Sequence, residues 1–282
     1  MNYTQNGVNE ITKGNYKHAF SILEKGFFEE GETTAGCYLA QMYYDERITP
    51  RTTESLVSAM LLWYITSNEV PSSSHKLGVS LFPMSSKAKE VGLEYIKAAA
   101  KKEYPFSFCV LGVLAYNNEE YEKALCNFSK YLQINDDKKA LLMYADSCCK
   151  IKTPDFEKAE QLYSICAEKF NDASAYLKLS EIYSTPSFFD RTKSFKFAEK
   201  AAELGSVEAA RTVGVSYLIG NEIIKTNPNK DLAKAYKFLN YACENDDGEA
   251  AAYLGDIYFV GDFVQKDHTK ALELYDKSIE KE

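Results

Sequence analysis

The stretch Ala250–Ser278, AAAYLGDIYFVGDFVQKDHTKALELYDKS, decides the fold, because weaker versions of it recur back to the N-terminus at intervals in the mid-thirties. Two registers carry the recurrence. The first is a large-then-small pair in a leading segment: Leu39-Ala40, Leu77-Gly78, Leu111-Gly112, Tyr144-Ala145, Leu179-Ser180, Val213-Gly214 and Leu254-Gly255. The second is a small residue early in a following segment: Ala19, Ala59, Gly92, Ala124, Ala159, Ser194, Ala235 and Ala271. The first series steps by 38, 34, 33, 35, 34 and 41 residues, and the second keeps pace with it. Two registers in step over a chain of 282 residues define a repeat array.

Both segments of each unit place apolar residues three and four positions apart, so each unit reads as a helical hairpin. In the last unit Tyr253, Leu254, Ile257 and Tyr258 share one face, and Ala271, Leu274, Tyr275 and Ser278 share another. Glycine inside a helix costs about 0.5–1 kcal/mol relative to alanine. Gly214 and Gly255 are therefore expected where two backbones approach too closely for a side chain. About eight hairpins are expected, over 2–30, 33–69, 72–102, 105–135, 138–171, 172–205, 206–246 and 247–282. Helix-breaking residues fall mostly between segments, at Pro50, Pro71, Pro105, Pro154, Pro186 and Pro228, while Pro83 cuts short the first segment of the third unit. Insertions at Arg47–Thr53 and Asn221–Lys230 lengthen two loops within hairpins. The expected fold class is all-α, a single repeat domain over 1–282.

An apolar fraction of 45%, with 21 tyrosines and 16 phenylalanines, supplies the interhelical packing, Trp63 included. Net charge is -8, with 15 basic and 17 acidic side chains in residues 1–141 and 18 and 24 in the remainder. An acidic chain without a basic stripe argues against nucleic-acid binding, which needs cations to offset phosphate. No stretch approaches the roughly 18 uninterrupted apolar residues of a membrane span, and the start MNYTQNGVNE lacks the basic and apolar parts of a signal peptide. A cytoplasmic location without membrane insertion is the expectation.

Catalytic constellations are missing from the sequence. The three histidines, His18, His75 and His268, lie far apart and lack partners at metal-ligand spacing. No dinucleotide or phosphate-loop glycine pattern occurs. Three Ser-x-x-Lys matches, at Ser73, Ser86 and Ser147, put two polar side chains on one helix face, without the Ser-Asp-Asn and Lys-Thr-Gly companions that acyl-enzyme chemistry requires. The expectation is a protein that is not an enzyme and holds no cofactor or metal.

The final unit resembles a Sel1-like repeat, the variant of the tetratricopeptide (TPR) hairpin with a longer inner loop, through Leu254-Gly255, Tyr258, Gly261, Val264, Asp267, Lys270-Ala271 and Tyr275. The preceding unit keeps Gly214, Tyr217, Gly220, Lys234-Ala235 and Ala242. Units at 105–135 and 138–171 look closer to plain TPRs, through Gly112, Tyr116, Ala124 and Phe128, then Ala145, Ala159 and Tyr163. By this resemblance residues 1–102 are divergent N-terminal repeats, 105–171 TPR-like and 172–282 Sel1-like. It implies a right-handed α-solenoid whose first helices line a concave face that binds a segment of another protein. Carried over position by position, that face comprises Cys37, Gln41 and Tyr44, then His75, Val79 and Phe82, then Cys109, Val113 and Tyr116. It continues through Leu142, Asp146, Leu177, Glu181, Arg211, Val215, Asp256 and Phe259. Such a groove is apolar in its first half and mixed to acidic in its second, which suits an extended or helical peptide with an apolar and a basic part. A clamp for a terminal carboxylate is not expected, since Cys37, Gln41, His75 and Val79 do not supply its lysines and asparagines.

Seven cysteines, Cys37, Cys109, Cys126, Cys148, Cys149, Cys166 and Cys243, form no Cys-x-x-Cys pair. Some Sel1-like proteins staple their hairpins with recurrent disulfides, and Cys109/Cys126 and Cys149/Cys166 each join the two segments of one unit. The last three units, however, hold only Cys243. Reduced, half-buried thiols are the favoured expectation. The functional expectation is a non-catalytic scaffold or adaptor in complex assembly or protein quality control. The alternative is a redox-, haem- or metal-linked assembly factor of the mitochondrial intermembrane-space type.

Overall fold

Asp155-x-x-Lys158-Ala159, Asp190-x-x-Lys193-Ser194, Asp231-x-x-Lys234-Ala235 and Asp267-x-x-Lys270-Ala271 each open the second helix of a hairpin. A computed structural model, which describes residues 2–50, 52–220 and 231–280, shows how this recurring pattern builds the repeat. Among the described residues sixteen α-helices follow one another: α1 (Tyr3–Thr12), α2 (Tyr16–Phe28), α3 (Thr33–Tyr44), α4 (Thr53–Thr66), α5 (Pro71–Leu81), α6 (Ser86–Lys101), α7 (Pro105–Asn117) and α8 (Tyr121–Leu132). Then come α9 (Lys138–Lys150), α10 (Phe156–Phe170), α11 (Ala173–Ile182), α12 (Arg191–Glu203), α13 (Val207–Ile219), α14 (Leu232–Glu244), α15 (Gly248–Val260) and α16 (His268–Glu280). Each consecutive pair is a hairpin, and all keep within the expected limits except the third, whose α5 starts at Pro71 rather than at 72. The chain divides into two compact units, Met1–Asn135 and Asp136–Glu282, each of four hairpins.

In the second unit every helix begins at a side-chain cap: Asp137, Asp155, Asp172, Asp190, Ser206, Asp231, Asp247 and Asp267 each accept a backbone N–H from the first turn. Such caps are worth about 1 kcal/mol each, and a carboxylate also complements the positive end of the helix dipole. The caps inside hairpins have a second role. The N–H groups of Asp155, Asp190, Asp231 and Asp267 donate at 2.9–3.2 Å to the carbonyls of Cys148, Tyr183, Tyr217 and Tyr258, so one residue closes the hairpin and starts its second helix.

The lysine of the same pattern ties neighbouring layers together. Lys193, Lys234 and Lys270 place their ammonium groups 4.8, 4.8 and 4.5 Å from the ring centres of Tyr183, Tyr217 and Tyr258. The phenols in turn reach the second helix of the preceding hairpin. Tyr183 donates to Glu160 at 2.9 Å, Tyr217 donates to Glu199 at 2.6 Å, and the Tyr258 hydroxyl lies 2.9 Å from that of Tyr236. Lys234 completes a triangle, donating to both Tyr217 (2.9 Å) and Glu199 (3.1 Å), and these two bonds hold its pKa above the ordinary lysine range.

The small residues pack as the registers require. Ala19, Ala40, Ala59, Ala124, Ala145, Ala159, Ala235 and Ala271 are all inaccessible to solvent. A methyl group on Gly255 would sit 2.7 Å from the Tyr275 ring, and one on Gly214 would sit 2.8 Å from the Leu239 side chain. In the first unit Gly78 and Gly92 face each other across α5 and α6, each Cβ position lying 2.6 and 2.5 Å from the other's carbonyl oxygen. That close crossing keeps the shortened third hairpin, in which α5 stops two residues before Pro83. Pro71 and Pro105 stand in the first turns of α5 and α7 rather than between segments, where their missing N–H costs no helical bond. Arg51, the Asn221–Lys230 insertion and Pro228 within it lie outside the described residues.

Candidate functional site

The first helix of each hairpin points its side chains three ways: into its own partner helix, toward the first helix of the next hairpin, and outward. The leading members of the expected groove set take the second direction. Cys37 is only 4% exposed, and its Sγ lies 3.4 Å from the Ser72 hydroxyl of α5. His75 repeats the arrangement one hairpin on, with Nδ1 3.0 Å from the Ser107 hydroxyl of α7 and its ring 5.2 Å from that of Tyr104. Arg211 does so in the second unit, its Nε 3.2 Å from Asp247 and its guanidinium also paired with Glu249. These three positions join consecutive layers.

Other members are engaged within their own hairpin. Tyr44 packs 5.3 Å from Trp63, and Tyr116 meets Tyr121 edge-on at 5.7 Å. Asp146 pairs with Lys150 at 2.7 Å and accepts from Tyr163 at 3.4 Å; Asp256 accepts from Tyr275 at 2.7 Å. Gln41 donates to Asp45, and Glu181 pairs with Lys178. Phe259 is 52% exposed, with the His268 ring 4.9 Å away. Cys109, Val113, Leu142, Leu177 and Val215 are half-buried, and Val79 is exposed. The acidic positions of the second unit thus already carry internal partners.

Among the described residues Phe82 opens onto a sizeable concavity, and Asp256 lines a smaller one of about 190 Å³. A groove of about 660 Å³ runs between the third and fourth hairpins of the first unit. Its apolar floor is Phe82, Leu93, Leu111, Leu114 and Ala115; Lys89, Lys97 and Lys123 stand with Glu90 and Glu120 around it. Lys97 is paired with Glu94 and Lys123 with Glu120, each at 2.8 Å. The signal for this groove in the sequence is PFSFCVLGVLA, residues 105–115, a helix apolar on every side. Such a helix has more apolar surface than one neighbour covers.

Titratable chemistry is muted. Burial, reinforced by Lys76, holds the His75 imidazole down at about 4, so it is neutral at physiological pH. Burial pushes the thiols of Cys148, Cys149 and Cys166 up to about 11, which keeps them protonated and poor as nucleophiles or metal ligands. All seven cysteines are free, with Cys37, Cys148, Cys166 and Cys243 buried and Cys126 exposed. Among the described residues no group of three or more His, Cys, Asp or Glu side chains could hold a metal ion. Nor is any described helix long and apolar enough to cross a membrane.

The geometry of the described residues defines stacked helical hairpins, with a groove in the first unit. A family model for the Sel1 repeat matches residues 173–206, 207–247 and 248–282, the last three hairpins. Among solved structures the chain is similar to a protective antigen of uropathogenic Escherichia coli with an SLR fold (TM-score 0.69, 18% identity). That match covers 93% of this chain and 56% of the other, so the chain spans little more than half of it. It is also similar to a Sel1 repeat protein from Oxalobacter formigenes (TM-score 0.63, 18% identity, 95% of this chain and 78% of that one). The C-terminal part of a TPR repeat-containing protein from Cytophaga hutchinsonii matches as well, with TM-score 0.56, 16% identity, and 88% and 97% coverage. No curated protein matches the sequence. Residues 173–282 thus match the Sel1 repeat, and the chain has the fold of an all-α helical-repeat solenoid. Arrays of this class generally serve as scaffolds for protein–protein interaction and are typically non-catalytic.

Proposed function

We propose that the chain is a non-catalytic scaffold that seats an apolar segment of a partner protein in the groove between α5–α6 and α7–α8, as an adaptor in assembly of a larger complex. The observation that carries this reading is the groove itself. Its volume of about 660 Å³ accommodates several side chains of an extended or helical segment, and its floor is apolar with charges of both signs at the rim. The reading keeps Phe82 from the expected face and moves the emphasis from the acidic positions, whose carboxylates are internally bonded, to Leu93, Leu111 and Leu114. Protonated thiols at Cys148, Cys149 and Cys166 favour this scaffold over a redox- or haem-linked factor. The acidic balance favours a protein partner over nucleic acid.

The test is selection of displayed peptides on the purified chain, followed by fluorescence-polarisation titration against wild type and Leu114→Asp. Selected peptides should share apolar anchors and bind Leu114→Asp at least about tenfold more weakly, a change of about 1.4 kcal/mol. Peptides that bind both proteins equally would place recognition elsewhere.

A further inference from the structure

Helix α4 differs from the other second helices of its unit. On α6 the outward positions include Lys87, Glu90, Glu94 and Lys97, and on α8 they include Glu122 and Lys123, all exposed. On α4, TESLVSAMLLWYIT, the sole charge is Glu54. Its inner face packs into the core, with Ala59, Leu62, Trp63 and Thr66 buried. Its outer face nonetheless exposes Val57 (52%), Leu61 (52%), Tyr64 (61%) and Ile65 (56%). Positions 54, 57, 61 and 64 follow the alternating three- and four-residue spacing with which one helix seats another along a seam, and Asn68 stands in the turn just beyond the helix.

We infer that this face is an isologous interface through which two copies of the chain associate, α4 against α4 in antiparallel register about a two-fold axis at Leu61. The register follows from self-complementarity. Centring on Leu61 sets Val57 opposite Ile65 and Tyr64 opposite Ser58, a large side chain over a small one on both sides of the axis. It also sets Glu54 opposite Asn68, whose carbonyl oxygen accepts from the ammonium of Lys102, the residue that caps the C-terminus of α6. Each copy thus offers a carboxylate at one end of the seam and a cation at the other, and the two-fold brings opposite charges together at both ends. A seam that pairs with itself in shape and in charge specifies a second copy as the occupant. This interface uses the outward side of a second helix and is independent of the groove.

Sedimentation velocity of the intact chain from about 1 to 100 μM should show a reversible monomer–dimer equilibrium. Leu61→Asp, at an exposed position, should weaken it at least about tenfold with an unchanged circular-dichroism spectrum. Glu54→Lys should weaken it several-fold, and adding Lys102→Glu should restore it. Leu61→Cys, next to its own copy at the axis, should form a cross-linked dimer under mild oxidation where the parent chain does not. A monomer throughout the range overturns the inference. So does a dimer that survives Leu61→Asp, or a Leu61→Cys chain that stays uncross-linked while dimeric.

Discussion

Gly255→Ala is a small perturbation whose sign the structure determines. In an open helix the change would stabilise by about 0.5–1 kcal/mol through helix propensity alone. Here the new methyl would lie 2.7 and 3.0 Å from the Cε1 and Cδ1 atoms of Tyr275, inside contact distance. The ring cannot swing away freely, because its hydroxyl donates to Asp256 at 2.7 Å. Overpacking of this kind costs about 1–3 kcal/mol, and breaking the hydroxyl bond to relieve it costs about 1 kcal/mol. The net expectation is destabilisation by about 1–2 kcal/mol, and by more for Gly255→Leu. Removing the ring reverses the sign: in a Tyr275→Ala background Gly255→Ala should stabilise by about 0.5–1 kcal/mol. The assay is a double-mutant cycle read by urea unfolding, with hydrogen exchange of α15 and α16 amides because repeat arrays can open from one end. Stabilisation by Gly255→Ala in the parent chain, or the same sign in both backgrounds, would refute the close-packing argument.

Tyr217→Phe removes the phenol shared by Glu199 and Lys234 and should cost about 1–2 kcal/mol by urea unfolding, while Tyr217→Phe in a Glu199→Gln background should cost less. Acid should weaken the first unit through His75. Its imidazole is held at about 4 against an ordinary 6.5, so between those values the unfolded chain binds more protons than the folded one. Stability present above pH 6.5 is therefore lost as pH falls toward 4, by at most about 3 kcal/mol, and unfolding curves of His75→Gln should lack that component. Thiol titration of the native chain should label Cys126 first and leave Cys148 and Cys166 slow, whereas all seven should react once the chain is unfolded.

The sequence reveals the hairpin count because small residues at helix crossings cannot be exchanged cheaply, so they recur at regular spacing from one hairpin to the next. It reveals the direction of an individual side chain less well. Cys37, His75 and Arg211 have the spacing of groove residues, and their contacts with Ser72, Ser107 and Asp247, about one repeat away, do not follow from that spacing. The Asp-x-x-Lys-small pattern is visible in the chain once the hairpins are in place. Its meaning depends on Tyr183, Tyr217 and Tyr258, which stand at variable separations from it because the inner loops differ in length. The groove was half legible: Leu111 and Gly112 mark a crossing, while the volume beside them arises from how α5 ends at Leu81 and how α6 and α8 stand apart.

The most direct test of the scaffold assignment is hydrogen exchange of the chain with and without a peptide selected on it. Binding in the groove predicts slowed exchange in α6 and α7, around Leu93 and Leu111–Ala115, with little change in α11–α16. Slowed exchange confined to the second unit, with α6 and α7 unaffected, would contradict the account.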